Sequence, residues 1–269
     1  MKKSLVSLAT AAALLSIGAS AQAGELVIDL FNTPQALISD NTLGNGGIWA
    51  TEVGAATDTS IIGGYRDLYV EKLSNNGSTT TNSSSLVAKA SVDEFGYLTF
   101  STDTGTTGRG IVRWDGAGTN TAGLNMGLGN KDLSQFSAFE LRTIFADQGF
   151  TFVIEAYTDY THWSRIILTS DAHNAADPGV ASYLSLAGFG MCGAVTPVGV
   201  VECGADGAVD LAHVNALQAI IDPLGGTVSV DLTLNQIYAV PEPAPLALAG
   251  LGLFGIFAGS RRRKSVQAV

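Results

Sequence analysis

Trp114-Asp115-Gly116 ends an apolar run, and an indole beside a carboxylate is a pairing that can stack on sugar C–H groups and accept from hydroxyls. Tyr65, Tyr69, Trp49 and Trp163 are aromatics of the same amphipathic kind. Sugar contact is therefore one reading of Trp114, Asp115 and Tyr65, and core or strand-edge packing is the other. Arg66 and Asp67 are read as an ion pair across strands or as part of a ligand pocket. Asp93-Glu94, Asp115, Asp171, Asp177 and Asp206 offer oxygens of the type calcium takes, but no run has the alternating spacing of a calcium loop. Surface acids and turn caps are the first account of them and a calcium site is the second, so no cofactor is expected, calcium is the alternative, and no metal ligands are assigned.

Asp171-Ala172-His173 places an acid near a base, while His162 and His213 lie in separate segments. Triad chemistry also needs a nucleophile and an oxyanion hole, and neither Gly-x-Ser-x-Gly nor His-Glu-x-x-His occurs. Two acids that meet only in the fold would suffice for a glycosidase. The expectation is a noncatalytic chain, with a polysaccharide-acting hydrolase as the third reading.

Cys192 and Cys203 are the only cysteines. An even pair in an exported chain usually forms a disulfide. Two free thiols are the alternative, since without nearby histidines the pair makes a poor zinc site.

The elements that must position these groups read as strands. Alternation appears at Leu26, Ile28, Leu30; Leu68, Val70; Phe139, Leu141; Phe152, Ile154; and Val228, Val230, Leu232. Apolar or β-branched runs at Leu86–Val92, Tyr97–Ser101, Gly110–Trp114, Trp163–Thr169 and Ser182–Ala187 bring the number to about ten. Clusters of Gly, Asn, Asp, Ser and Thr separate them, and Ser74–Ser85 reads as a long hairpin connection. Gly63-Gly64 predicts a sharp turn into a strand, because glycine reaches positive φ freely. The fold class expected is all-β, an antiparallel β-sandwich of jelly-roll type.

One internal echo sharpens this reading. Asp132 to Leu141 matches Asp210 to Ala219 in pattern, each as an Asp-capped turn followed by a strand, with Phe136 or Val214 folding over the core. A helix from Asp210 to Ile221 competes, since Val214, Leu217 and Ile221 share a helical face.

The ends carry addresses. Lys2-Lys3, the apolar Leu5–Ile17 and Ala21-Gln22-Ala23 form a signal peptide over 1–23, with a signal helix and cleavage between Ala23 and Gly24. Residues 24–239 would be the extracellular domain. At the other end Pro241-Glu242-Pro243 precedes an apolar helix over 244–259, then Arg261-Arg262-Arg263-Lys264 and a short tail at 265–269. Sixteen apolar residues make a marginal membrane span where about 20 are usual. The cations after it favour a cytoplasmic C-terminus.

The chain has 14 basic and 24 acidic side chains. Lys2, Lys3, Arg261–Arg263, Lys264 and Glu242 lie in the ends, which leaves 8 against 23 in the body, about −15. Such a surface argues against nucleic acid, whose phosphates need Lys and Arg.

The leader together with the 240–264 segment resembles the PEP-CTERM sorting class of Gram-negative bacteria. The resemblance implies export by Sec-type machinery, cleavage by signal peptidase, and processing near the motif by an exosortase, a membrane-embedded cysteine protease. The body would then reach the envelope or an exopolysaccharide matrix. Ile61–Leu68 and Val112–Gly116 are similar to segments of a galactose-binding-like jelly roll, which hosts sugar binders, adhesion modules and structural domains. The function expected is a noncatalytic structural or adhesion module, and the alternative is a carbohydrate-binding module acting on extracellular polysaccharide.

Overall fold

Period-two alternation needs two faces to sort its side chains, and this chain supplies them as two stacked sheets. The computed structural model describes residues 24–75, 82–90, 96–118, 123–173, 179–196 and 199–241. The predicted signal peptide, Glu242, Pro243, the 244–259 helix and Arg261–Arg263 lie outside the described residues, as do Asp93, Glu94 and Asp177. Among those described, no helix is long and apolar enough to cross a membrane.

Sixteen strands follow in chain order among the described residues. They are β1 (Leu26–Asp29), β2 (Gln35–Asp40), β3 (Ile48–Trp49), β4 (Val53–Gly54), β5 (Tyr65–Asn75), β6 (Ser84–Lys89), β7 (Tyr97–Thr102) and β8 (Thr106–Trp114). The second half holds β9 (Ala138–Ala146), β10 (Phe150–Tyr157), β11 (Trp163–Ser170), β12 (Val180–Ser185), β13 (Val195–Thr196), β14 (Gly199–Cys203), β15 (Ala216–Ile221) and β16 (Asp231–Val240). One sheet has seven strands in the order β12-β9-β16-β7-β6-β2, with β1 also on β16. The other has nine, β13-β14-β11-β10-β15-β8-β5-β3, with β4 also on β5. The pairings between strands are antiparallel, so the structure is the all-β antiparallel sandwich expected.

The core fills the space between the sheets. Leu68, Val70, Val112, Ile154 and Leu217 of the nine-stranded sheet meet Leu98, Phe100, Phe139 and Leu232 of the seven-stranded one. Each such side chain contributes roughly 1.5–3 kcal/mol on leaving water. Asp29 ties the layers together. Its carboxylate, on β1, accepts from both Arg66 Nη1 on β5 (2.9 Å) and Trp114 Nε1 on β8 (2.8 Å), and also from the Phe31 backbone N–H (2.7 Å).

The internal echo folds as turn plus strand. Asp132 Oδ1 accepts from the Ser134 N–H and Asp210 Oδ1 from the Ala212 N–H, and β9 and β15 begin six residues after each aspartate. The two turns join through Leu133 N–H to the Leu211 carbonyl (2.7 Å) and a Lys131–Val214 bridge. Val214 is fully buried and Phe136 packs at the core edge. The competing helix over Asp210–Ile221 does not form, because β15 gains partners on both sides in β10 and β8.

Two segments differ from expectation. Val228 and Val230 precede the last strand, because Asp222 caps the Gly226 and Thr227 N–H groups and Ser229 takes φ +60°, which holds the chain in a turn until Asp231. Leu186 and Ala187 lie in a 3-10 turn after β12. The Gly63-Gly64 turn forms as predicted, with φ of +69° and +84° before β5; a Cβ on Gly64 would lie 2.1 Å from the Ala55 carbonyl oxygen. Of the Ser74–Ser85 connection, residues 76–81 are not described.

Candidate binding face on the nine-stranded sheet

On the outer face of the nine-stranded sheet the register aligns polar side chains from neighbouring strands. Asp67 on β5 stands opposite Arg113 on β8, which stands opposite Gln218 on β15. Gln218 faces Glu155 on β10, Glu155 faces Arg165 on β11, and Arg165 faces Glu202 on β14. Six strands thus place six hydrogen-bonding side chains in one row across the sheet.

The row is internally bonded. Arg113 Nε donates to Gln218 Oε1 and Gln218 Nε2 donates to Glu155 Oε2, both at 2.9 Å. Arg165 reaches Glu155 at 3.5 Å and Glu202 at 3.4 Å. Two atoms of the row are buried with no hydrogen-bond partner, Asp67 Oδ1 at one end and Arg165 Nε toward the other. Asp67 is only 4 % exposed. Burial, then repulsion from Asp115 and Glu52, pushes its carboxyl up to about 7, against the pull of Arg113. Burial also raises Glu52 and Asp115, while hydrogen bonds from the Gly118 and Asn125 N–H groups oppose it.

Aromatic and aliphatic side chains flank the row. On one side Tyr69, Ile111, Val153 and Ile220 form a small buried cluster with Trp49 and Ile167 against it. Trp49 packs on Tyr69 with ring centroids 4.8 Å apart and lies under the Arg113 guanidinium at 4.4 Å, a cation–π contact. On the other side Tyr157 and Trp163 stand 6.1 Å apart, both partly exposed, and the Tyr157 hydroxyl donates to Glu155 Oε2.

The residues singled out in the sequence divide between the faces. Trp114 is a core residue, 2 % exposed, with its indole N–H spent on Asp29. It offers no face to a sugar. Asp115 and Tyr65 are on the outer side of the sheet with Asp67, so alternation separates Trp114 from its neighbour. Arg66 and Asp67 part in the same way, Arg66 inward to the Asp29 ion pair and Asp67 outward. Arg113, Gln218, Glu155, Arg165, Glu202 and Glu52 were not singled out, although a lone polar residue inside an apolar strand such as Phe150–Tyr157 or Ala216–Ile221 is a readable signal.

The remaining candidates are scattered. His162 pairs with Asp159 at 3.0 Å and His213 with Asp210 at 2.7 Å, each inside a turn three residues wide, and His173 bridges the Ala146 backbone. Asp171 and Asp206 are exposed on separate segments, and among the described residues no three His, Cys, Asp or Glu are grouped to hold a metal ion. Cys192 and Cys203 form the disulfide, with Cα atoms 5.5 Å apart.

The fold and face define a two-sheet β-sandwich with a polar row on one outer surface. The family signature described as the PEP-CTERM protein-sorting motif matches residues 239–263. The chain thus carries the sorting motif of an exported, envelope-associated protein. That motif overlaps the last two residues of β16, so it leaves the body directly from a strand end held by β9 on one side and β1 on the other. No curated protein matches the chain. Among solved structures, "Solution structure, dynamics and binding studies of CtCBM11" aligns with 84 % of this chain and 99 % of its own, at 10 % identity and a TM-score of 0.41, too loose a likeness to bear on function.

Proposed function

We propose that this protein is an exported, noncatalytic component of the cell envelope or exopolysaccharide matrix whose body holds extracellular polysaccharide on the outer face of the nine-stranded sheet. The polar row from Asp67 to Glu202, bordered by Trp49 and Tyr69 on one side and Tyr157 and Trp163 on the other, is the observation that carries this reading. Polysaccharide recognition needs aromatic surface for the apolar side of each sugar and a line of donors and acceptors for its hydroxyls.

Export and sorting by the tail are part of the same proposal, with signal peptidase cutting before Gly24 and an exosortase removing the C-terminal segment. A glycan array with the purified protein tests the body: Trp163→Ala and Trp49→Ala should each lose binding, and a protein that binds no glycan would sink the reading. Intact-mass measurement of the envelope-held protein tests the tail, which should lack Arg261 to Val269.

A further inference from the structure

At one corner of the sandwich the inner face of edge strand β12 is open to solvent. Residues opposite each other on paired antiparallel strands share a face, and Leu141 on β9 is a core residue. Its partner on β12, Ser182, therefore points into the sandwich, as do Val180 and its partner Thr143 further along the same strands. Leu184 on that face is sealed at 2 % exposure, whereas Val180 is 47 % exposed and Ser182 is exposed as well. The sheets thus part here, and a cavity of about 50 Å³ lies between them. Leu141 and Leu234 of the seven-stranded sheet and Phe150, Phe152 and Leu168 of the nine-stranded one form its apolar walls. Thr143, Thr169 and Ser182 line it too, and the same three residues border a wider cleft of about 360 Å³ that adds Asp171, His173 and Val180. They form the mouth between the two spaces. Among the described residues the Thr143 and Ser182 hydroxyls have no hydrogen-bond partner, which leaves both for a ligand at that mouth.

We propose that this crevice is a second ligand site, separate from the outer sheet face, that takes the acetyl group of an acylated sugar. The inference rests on the polysaccharide-binding reading only for the sugar and places it at a different site. Size and polarity together select the group. At roughly 15 Å³ for each water-sized group, the cavity holds about three or four heavy atoms, the size of an acetyl group, and it falls well short of the roughly 150 Å³ that holds a benzene ring. Its apolar walls favour a methyl over a hydroxyl or an ammonium, either of which would give up its hydrogen bonds to water there. The acetyl carbonyl, one bond behind the methyl, lies at the mouth, where the Thr143 and Ser182 hydroxyls can donate to it. The sugar ring then occupies the wider cleft, against the exposed Val180 side chain.

The test uses the full protein with N-acetylglucosamine oligomers, O-acetylated glucan oligomers and the de-acetylated counterpart of each, and reads affinity together with saturation-transfer NMR of the acetyl methyl. Acetylated oligomers should bind about tenfold tighter than their counterparts, the scale of one buried methyl plus one hydrogen bond, and the methyl should be the most strongly saturated group of the ligand. A preference in one series alone identifies the linkage, through nitrogen or oxygen, and supports the site. Ser182→Trp, at an exposed position, should plug the mouth and cut the preference to within about twofold. Thr143→Val, which replaces only the hydroxyl, should weaken it by removing a donor and keeps the test decisive if Ser182→Trp misfolds. Binding that ignores acetylation, or a preference that survives both variants, would overturn the crevice site and leave the outer sheet face standing. Equal methyl saturation in an N-acetylated dipeptide would overturn the assignment to a sugar. Methyl saturation of free N-acetylglucosamine that Ser182→Trp erases, in a protein that binds no oligomer, would support the crevice and remove the outer-face reading instead. Neither binding nor saturation with any of these ligands would remove both.

Discussion

The Arg66 guanidinium meets the Asp29 carboxylate at 2.9 Å with both side chains wholly excluded from solvent. The two residues belong to different sheets, so the pair is a polar bolt through an apolar core. Its lone pairs and donors are well used: Trp114 and the Phe31 N–H also bond Asp29, Gln35 Oε1 accepts from Arg66 Nε at 3.1 Å, and the Phe31 ring lies 5.5 Å from the guanidinium. Removing one partner strands the other as an uncompensated buried charge. Arg66→Ala is therefore expected to cost about 3–5 kcal/mol, read as the shift in urea midpoint. A loss below about 1 kcal/mol, the range of exposed pairs, would show that the pair is not sealed from water.

Trp114 and Trp49 should separate stability from binding. Trp114 fills the core and bonds Asp29, so Trp114→Ala is expected to lose about 3–5 kcal/mol, with glycan affinity unchanged for the fraction that stays folded. Trp49 sits on edge strand β3, partly exposed and stacked with Tyr69 and Arg113. Its alanine variant should lose only about 1 kcal/mol but most of the glycan binding. Thermal melts alongside a binding assay distinguish the two, and the opposite assignment of effects would refute the division of faces.

Stability should fall as pH rises through neutrality, and Asp67 should be a main cause. Folding raises its carboxyl to about 7, so the folded chain holds a proton there that the unfolded chain has released from its ordinary value of 3.8. The contribution is complete below the unfolded value and lost as the pH rises through the folded one. Burial moves Glu52 and Asp115 the same way. Asp67→Asn should therefore gain stability over the natural protein between pH 5 and pH 8, on the order of 2–4 kcal/mol. Denaturant titrations across that range would show a constant difference if Asp67 ionised normally.

Much of this architecture is legible from residue patterns, for reasons that end where register begins. Leu68 and Val70, or Phe152 and Ile154, announce strands because a half-buried strand must alternate, and the Asp132 and Asp210 turns are visible because a capping carboxylate sits two residues before the N–H groups it bonds. The disulfide follows from having only two cysteines. The binding face is a different matter. Arg113, Gln218 and Glu155 are separated by tens of residues, and only the β8-β15-β10 order makes them neighbours. Trp114 misleads for a local reason: its side chain points inward because Asp115 points outward, and the composition of the pair does not say which faces water. The phase of Arg66 and Asp67 was hidden in the same way, since a buried arginine is unreadable until its partner 37 positions away is known.

The Cys192–Cys203 bridge should matter by constraining the unfolded chain. It joins the segment after the Leu186–Gly190 turn to the end of β14, whose neighbour β11 lies nearer the middle of the nine-stranded sheet. Ser164 adds to the same corner, donating its hydroxyl to the Phe189 carbonyl at 2.6 Å and accepting from the Val209 N–H at 3.0 Å. With a separation of 11 residues, the loop-entropy argument gives about 3 kcal/mol for the crosslink. The Cys192→Ser/Cys203→Ser double variant should therefore unfold at a lower urea midpoint by that amount with an m-value no smaller than the natural protein's, because an uncrosslinked unfolded chain exposes at least as much surface. The polar row lies outside the loop apart from Glu202, so glycan binding at low denaturant should persist. Loss of binding without loss of stability would instead make the bridge a support for the β14 end of the binding face.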